Sequence, residues 1–193
     1  HALTDADVAH AATAAFAVYA DATRTFSWQR FKTSAGDQIA DRLVTAGAIV
    51  VEGDLAYFDH HLKHDYLASR VLLSDRQSWT SDLFDTLTFH ASSFDTIVMA
   101  MEQIQSSPRA DDLLRSLYDW NIYAAGYSIA EGRASLVSAD MQTVILGMFA
   151  ERRWDLVTAT AQRASDTLRL IDNGKALKFL QAPSLEAVLH EIT

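Results

Sequence analysis

The stretch "AGAIVVEGDLAYFDHHLKHDYLASRVL", residues 46–72, decides how this chain is read. Ile49, Val50 and Val51 are β-branched, Glu52-Gly53-Asp54 is a turn cluster, and an apolar run resumes from Leu55 to Phe58. Two strand-like runs around a glycine turn predict a β-hairpin. Gly47 is suited to stop whatever helix precedes it, because glycine takes the left-handed conformation without steric cost. Beyond the hairpin, His60, His61 and His64 fall within five residues, and from Asp59 onward the pattern turns helical.

Upstream of this stretch two helices are expected. Thr4 stands three residues before Asp7, a capping-box-like start, and Val8, Ala11, Ala12, Ala15, Phe16 and Tyr19 then recur at helical spacing. This predicts a helix over about 5–21. A second helix is expected from Ser34 as its cap, with Asp37 near its start and Ile39, Leu43 and Val44 as its stripe, ending at Gly47. Helix, helix and hairpin is the order of a winged helix, assigned to residues 1–75.

Downstream, helices are expected over about 59–73, 77–90, 92–106, 108–130, 137–150, 152–171, 174–182 and 184–192. Ser107-Pro108 marks a helix start, and Asn173-Gly174 and Pro183-Ser184 mark breaks. Lengths near 15 residues with short turns predict stacked antiparallel helical hairpins, a superhelix-like second domain over 76–193. The fold class expected is therefore mainly α, with one small β-hairpin.

Composition agrees. Of 193 residues 49% are hydrophobic, with only 7 glycines and 2 prolines, enough for a core and suited to helices. Cysteine is absent, which removes disulfides and thiolate chemistry and fits a reducing compartment. No apolar run is long enough to span a membrane, and Asp5, Asp7 and His10 interrupt the amino-terminal stretch, so neither a membrane segment nor a signal peptide is expected. The expected compartment is the cytoplasm. His1 in place of a methionine predicts a fragment of something longer. The net charge is −9, and residues 1–75 hold six Lys/Arg against ten Asp/Glu. Phosphate contacts need basic groups, so no nucleic-acid partner is expected and the winged helix reads as protein-contacting.

The histidines admit three readings. Four residues separate His60 from His64, a spacing that lets two helical histidines chelate a divalent ion, with Asp59 or Asp65 close by. The zincin pattern needs glutamate directly after the first histidine, however, and His61 stands there. No metal site is assigned. The plainest reading is a helix start with one or two exposed histidines and an apolar seam of Leu62, Tyr66, Leu67 and Val71.

The third reading is a resemblance. An aromatic-Phe-x-His, then four residues, then acid-aromatic-x-Ala-small-Arg stands here as Tyr57, Phe58, His60, Asp65, Tyr66, Leu67, Ala68, Ser69 and Arg70. This resembles the end of the winged-helix domain in NACHT-type signalling NTPases, members of the STAND class of AAA+ relatives. The match covers roughly residues 3–75, and its specific part is 47–72. The family commonly has Glu where this chain has Asp65. The resemblance implies that a nucleotide-binding module, upstream in the same polypeptide, holds ATP or ADP with magnesium. It further implies that His60 contacts the β-phosphate of ADP in the resting state, and that the full-length protein is an ATPase able to oligomerise. Tyr57, Phe58, Asp65, Tyr66 and Arg70 are then structural, with the Asp65–Tyr66 pair fixing the helix against the wing.

The chain itself has no Gly-x4-Gly-Lys-Ser/Thr loop, since Arg169 stands where Gly174-Lys175 would need its first glycine. It also has no Gly-x-Ser-x-Gly elbow. No enzyme activity and no cofactor of its own are assigned. Trp120, Tyr123 and Tyr127 fall on one face of the expected 108–130 helix, where core packing competes with a partner-binding groove. His90 is expected to be a partly buried core residue. Two functions remain open: a regulatory portion of a NACHT/STAND-type NTPase, or a stand-alone helical ligand- or protein-binding regulator. A pocket lined by residues such as Phe89, Phe94, Met99 and Tyr123 would favour the second.

Overall fold

The computed structural model describes residues 4–19, 21, 23–74 and 76–192. Among them it is mainly helical, with one small antiparallel sheet. The chain forms two compact units, the first ending at Ala100 and the second beginning at Met101.

The first unit opens with α1 (Asp5–Tyr19). The capping box forms as read: Thr4 N–H donates to Asp7 Oδ2 at 2.9 Å, and Asp7 N–H to Thr4 Oγ1 at 3.2 Å. Ala11, Ala12, Ala14, Ala15 and Val18 are buried along α1. Small side chains let other helices approach its backbone closely. Strand β1 (Thr25–Ser27) and helix α2 (Trp28–Ala35) follow, and neither is signalled strongly in the sequence. Ser27 Oγ caps α2 by accepting from Arg30 N–H at 3.3 Å. Ser34 lies inside α2 rather than capping the next helix, and Gly36, at φ 84°, separates α2 from α3 (Asp37–Thr45). At the end of α3, Gly47 N–H bonds Val44 C=O at 2.9 Å and Ala48 N–H bonds Leu43 C=O at 2.8 Å. With Gly47 at φ 68° this is a Schellman stop, as its position predicts.

The hairpin is β2 (Ile49–Glu52) and β3 (Leu55–Phe58), joined by Gly53-Asp54. The order is β1-β3-β2, so the hairpin gains a third strand, with Phe26 opposite Ala56 and Ile49 opposite Phe58. All four of these side chains turn inward and join Phe31, Leu43 and the α1 alanines in one core.

Helix α4 (His61–Ser69) packs on α1 and runs into a 3-10 turn over Arg70–Leu73. Its buried face is His64, Asp65, Leu67 and Ala68, continued by Leu72 in the turn. This corrects the expected seam, because Leu62 and Tyr66 are each 43% exposed. The buried positions 64, 68 and 72 follow the four-residue helical step, and two of the inward residues are polar because partners await them on α1. Helices α5 (Ser81–Leu87) and α6 (Asp95–Gln103) follow, and α6 spans the division between the units. The 77–90 and 92–106 helices are thus shorter than expected. Between them Phe89, His90 and Ala91 have φ of 49°, 55° and 64°. The turn sends Phe89 onto Tyr19 and leaves His90 exposed, which corrects its expected core position. The first unit therefore extends beyond residue 75, since α5 packs back on α1.

The second unit holds α7 (Ser107–Trp120), α8 (Ile122–Glu131), α9 (Ala139–Arg152), α10 (Thr158–Ile171), α11 (Gly174–Gln181) and α12 (Leu185–Ile192). The single helix expected over 108–130 breaks at Asn121, whose backbone is extended and whose Oδ1 caps α8 by accepting from Tyr123 N–H at 3.0 Å. Helices α8, α9 and α10 pack mutually, and α12 packs on α9.

Candidate functional site

His60 is the N-cap of α4, with extended backbone at φ −135° and ψ 130°. Its side chain is exposed. Nδ1 accepts from Leu62 N–H at 3.3 Å. In the neutral ring the proton then sits on Nε2, and that N–H is a donor facing away from the cap. His61 stacks on the ring at 4.6 Å between centroids. Lys63 Nζ bonds Asp59 Oδ2 at 2.9 Å, and this bond holds the Asp59 carboxyl below the usual carboxylate range.

His64, one turn on, faces the other way. It is 1% exposed and stacks on Phe58 at 4.6 Å, with Tyr19 edge-on at 4.7 Å. Its Nε2 meets Ala15 C=O at 3.0 Å. A carbonyl only accepts, so Nε2 carries the hydrogen and Nδ1 is an acceptor. That Nδ1 is buried without a hydrogen-bond partner. Burial lowers the pKa of the ring to about 4, so it stays neutral at ordinary pH. His60 and His64 therefore share no ligand-bearing face. Among the described residues no group of three or more His, Asp or Glu side chains is gathered as a metal ion would need.

Asp65, 3% exposed, sits at the centre of a polar cluster inside the first unit. Tyr19 OH donates to Asp65 Oδ1 at 2.8 Å, and Arg24 Nη1 donates to the same oxygen at 2.5 Å. Tyr19 has one hydroxyl hydrogen, so its 3.0 Å contact with Thr96 Oγ1 has threonine as donor. Burial pushes the Tyr19 hydroxyl far above its ordinary pKa. The Arg24 guanidinium lies 5.0 Å from the Phe89 ring centroid and 5.6 Å from that of Tyr19. The carboxylate thus ties α4 to the end of α1 and the approach to β1. It does not tie α4 to the hairpin, as expected from the resemblance. Tyr66 points outward, with the Arg70 guanidinium 6.0 Å from its ring centroid. Tyr57 is half-buried and donates its hydroxyl to Glu52 Oε1 at 3.1 Å.

The nine residues singled out from the sequence divide accordingly. Phe58 and Asp65 lie inside, His60 and Tyr66 outside, Tyr57 and Arg70 between. Tyr19, Arg24 and Thr96 carry no local sequence signal, because Tyr19 and Arg24 stand 46 and 41 positions from Asp65 along the chain, and Thr96 joins the cluster through Tyr19, 77 positions away from it. Trp120, Tyr123 and Tyr127 are half-buried but do not share one helix, since α7 ends at Trp120. Tyr123 packs on Phe149 at 5.7 Å and carries the Arg163 guanidinium 3.9 Å from its ring centroid. Trp120 borders a pocket of about 430 Å³ with Tyr118, Asn121 and Arg152.

Among the described residues no helix is long and apolar enough to cross a membrane. The chain matches no protein-family model, and no curated protein and no solved structure is found similar to it.

Proposed function

We propose that this chain is a regulatory, non-catalytic portion of a NACHT/STAND-type NTPase. In this reading the first unit acts as a winged helix that closes over a nucleotide-binding domain elsewhere in the same polypeptide. The second unit acts as the start of a superhelix that leads to a sensor. The observation that carries the reading is the state of His60. It lies exposed at the mouth of α4, its Nδ1 engaged by its own helix and its Nε2–H free to donate to a phosphate oxygen. The order helix, strand, helix, helix, hairpin, with the first strand completing the sheet, supports the winged-helix assignment. The excess of acids over bases in this region supports a protein-facing role rather than a DNA-facing one.

The mechanism is a population shift. A donor that touches ADP only in the closed arrangement favours that arrangement, and a sensor ligand acts by preferring the open one. A hydrogen bond to a charged phosphate contributes about 1.5–3 kcal/mol, so in the intact protein His60→Ala is expected to release ADP about tenfold faster or more. His60→Gln, which keeps an N–H donor, is expected to retain part of the effect. Release of labelled ADP measured by filter binding checks this, and unchanged release in His60→Ala overturns the role. The reading also expects a phosphate-binding loop encoded upstream of residue 1 in the same gene.

A further inference from the structure

Where α12 packs on α9, the second unit shows a group of exposed apolar side chains. Leu156, in the turn between α9 and α10, is 101% exposed, and Trp154, Val157, Leu185 and Leu189 are exposed with it. Single exposed leucines are ordinary, whereas a group on one surface marks an interaction site. The turn that carries Leu156 is fixed. Trp154 N–H bonds Glu151 C=O at 3.0 Å, and Asp155 N–H bonds Arg152 C=O at 3.1 Å. Asp155 Oδ1 then accepts from Val157 N–H at 2.8 Å, which closes the turn with Leu156 between them. Arg153 donates to Phe179 C=O and lies 5.6 Å from the Trp154 ring centroid, so the turn is also tied to α11. Beside it is a cavity of about 430 Å³, lined by Met148, Glu151, Arg152, Trp154, Asp155 and Leu185.

We propose that this patch is the contact between two copies of the chain, related by a two-fold axis, with Leu156 of each copy entering the cavity of the other. A two-fold contact sets one patch against itself, so the patch must carry both halves of every interaction it makes. This one does. The projecting leucine adjoins the cavity, and Met148, Trp154 and Leu185 give that cavity apolar walls. The same walls carry both signs of charge, in Glu151, Asp155 and Arg152. Among the described residues the Glu151 and Arg152 side chains form no ion pair within the chain. Across the axis each Arg152 meets an acid of the other copy. A patch of one sign would call for a foreign partner of the opposite sign, whereas this patch complements itself. The contact uses no residue of the first unit, so it stands apart from the nucleotide reading.

The test is sedimentation velocity of the 193-residue chain, with amide ¹⁵N spectra recorded on dilution. The expected result is a dimer that dissociates between about 500 and 5 µM, the range of a small interface, with shifts at Met148, Trp154, Leu156 and Leu185. Leu156→Ser is expected to weaken it about a hundredfold, roughly tenfold for each of the two leucines taken out of the contact. No neighbour packs on Leu156 within the chain, so this variant is expected to keep the wild-type urea midpoint at about 1 µM, where both are monomers. Loss of the dimer is then not loss of the fold. Glu151→Arg and Arg152→Glu each set like charges across the axis, and each is expected to weaken self-association about threefold. Mixed one to one, the two variants are expected to pair with each other more tightly than either does with itself. A chain still monomeric at ~500 µM, a dimer that survives Leu156→Ser, dilution shifts confined to other helices, or a mixture no tighter than its components overturns the proposal.

Discussion

His64 shows how a single ring can be fixed by its surroundings. Its ordinary pKa of 6.5 falls to about 4, first because burial penalises the charged form. The Arg24 charge lowers it further, while the Ala15 carbonyl and the Asp65 carboxylate act in the opposite direction. Between those two values the unfolded chain binds a proton that the folded chain refuses. Stability from this group is therefore complete above pH 6.5 and is lost as pH falls toward 4. Linkage puts the loss between pH 7.5 and pH 5 at about 2 kcal/mol. His64→Leu removes the titrating group, so the stability gap between wild type and variant is expected to narrow by about that amount over the same interval. Urea midpoints at the two pH values measure it, and a gap that does not change with pH would remove His64 as its source. Little of this was legible beforehand. The cluster of histidines stands out in the sequence, but which one turns inward does not. The four-residue step from His64 to Ala68 to Leu72 was the available signal, outweighed by the larger side chains of Leu62 and Tyr66. Asp65 was recognisable as a structural residue, while its partners Tyr19 and Arg24 lie too far along the chain for any local pattern to announce them.

At the scale of elements, what could be read was whatever has local chemistry. Thr4 with Asp7, Gly47 after α3, and Gly53 in the hairpin all occupy the places their conformational preferences dictate. Strand β1 was not legible, because three residues with one inward phenylalanine carry almost no period of their own. It exists because β3 offers an unpaired edge and Phe26 completes the core between Phe31 and Phe58. Asn121 was hidden too, since its neighbours continue the helical pattern on both sides. Packing among α8, α9 and α10 depends on another inconspicuous residue. A Cβ on Gly126 would lie 2.6 Å from both Phe149 Cε2 and Thr167 Cγ2. Phe149 is fully buried and cannot swing away. Gly126→Ala gains about 1 kcal/mol of helix propensity but must overpack this crossing, and a net loss of about 1–2 kcal/mol is expected. Gly174→Ala meets nothing within 4 Å and is expected to be neutral or to stabilise by up to about 1 kcal/mol. Urea denaturation of the two variants side by side separates close packing from propensity, and equal effects would show that the α8 crossing relaxes freely.

For the molecule as a whole, the sequence located the change of character after the hairpin but not where the first compact unit ends. A boundary at residue 75 follows the resemblance, whereas the described structure places the division after Ala100. The reason is that α1 is covered from two directions. The sheet, α2 and α4 come from one stretch of chain, and α5 with the turn after it comes back from further on. Phe84 and Leu87 of α5 are buried, Phe89 stacks on Tyr19 at 4.7 Å, and Thr96 donates to the Tyr19 hydroxyl. A polypeptide of residues 1–75 lacks all four groups. It leaves Tyr19 and the Arg24–Asp65 pair facing water on that side. Burial of Phe84 and Leu87 alone contributes about 3–6 kcal/mol, comparable to the whole stability of a small domain. A polypeptide of residues 1–106 keeps the cover intact, together with the full length of α6. The longer fragment is therefore expected to unfold cooperatively in urea, with a protected Tyr19 environment in its near-ultraviolet spectrum. The shorter one is expected to lose several kcal/mol and its cooperative transition at 25 °C, given that margin. If both fragments unfold at the same midpoint, the returning α5 segment contributes nothing to the first unit, and the boundary belongs at residue 75 after all.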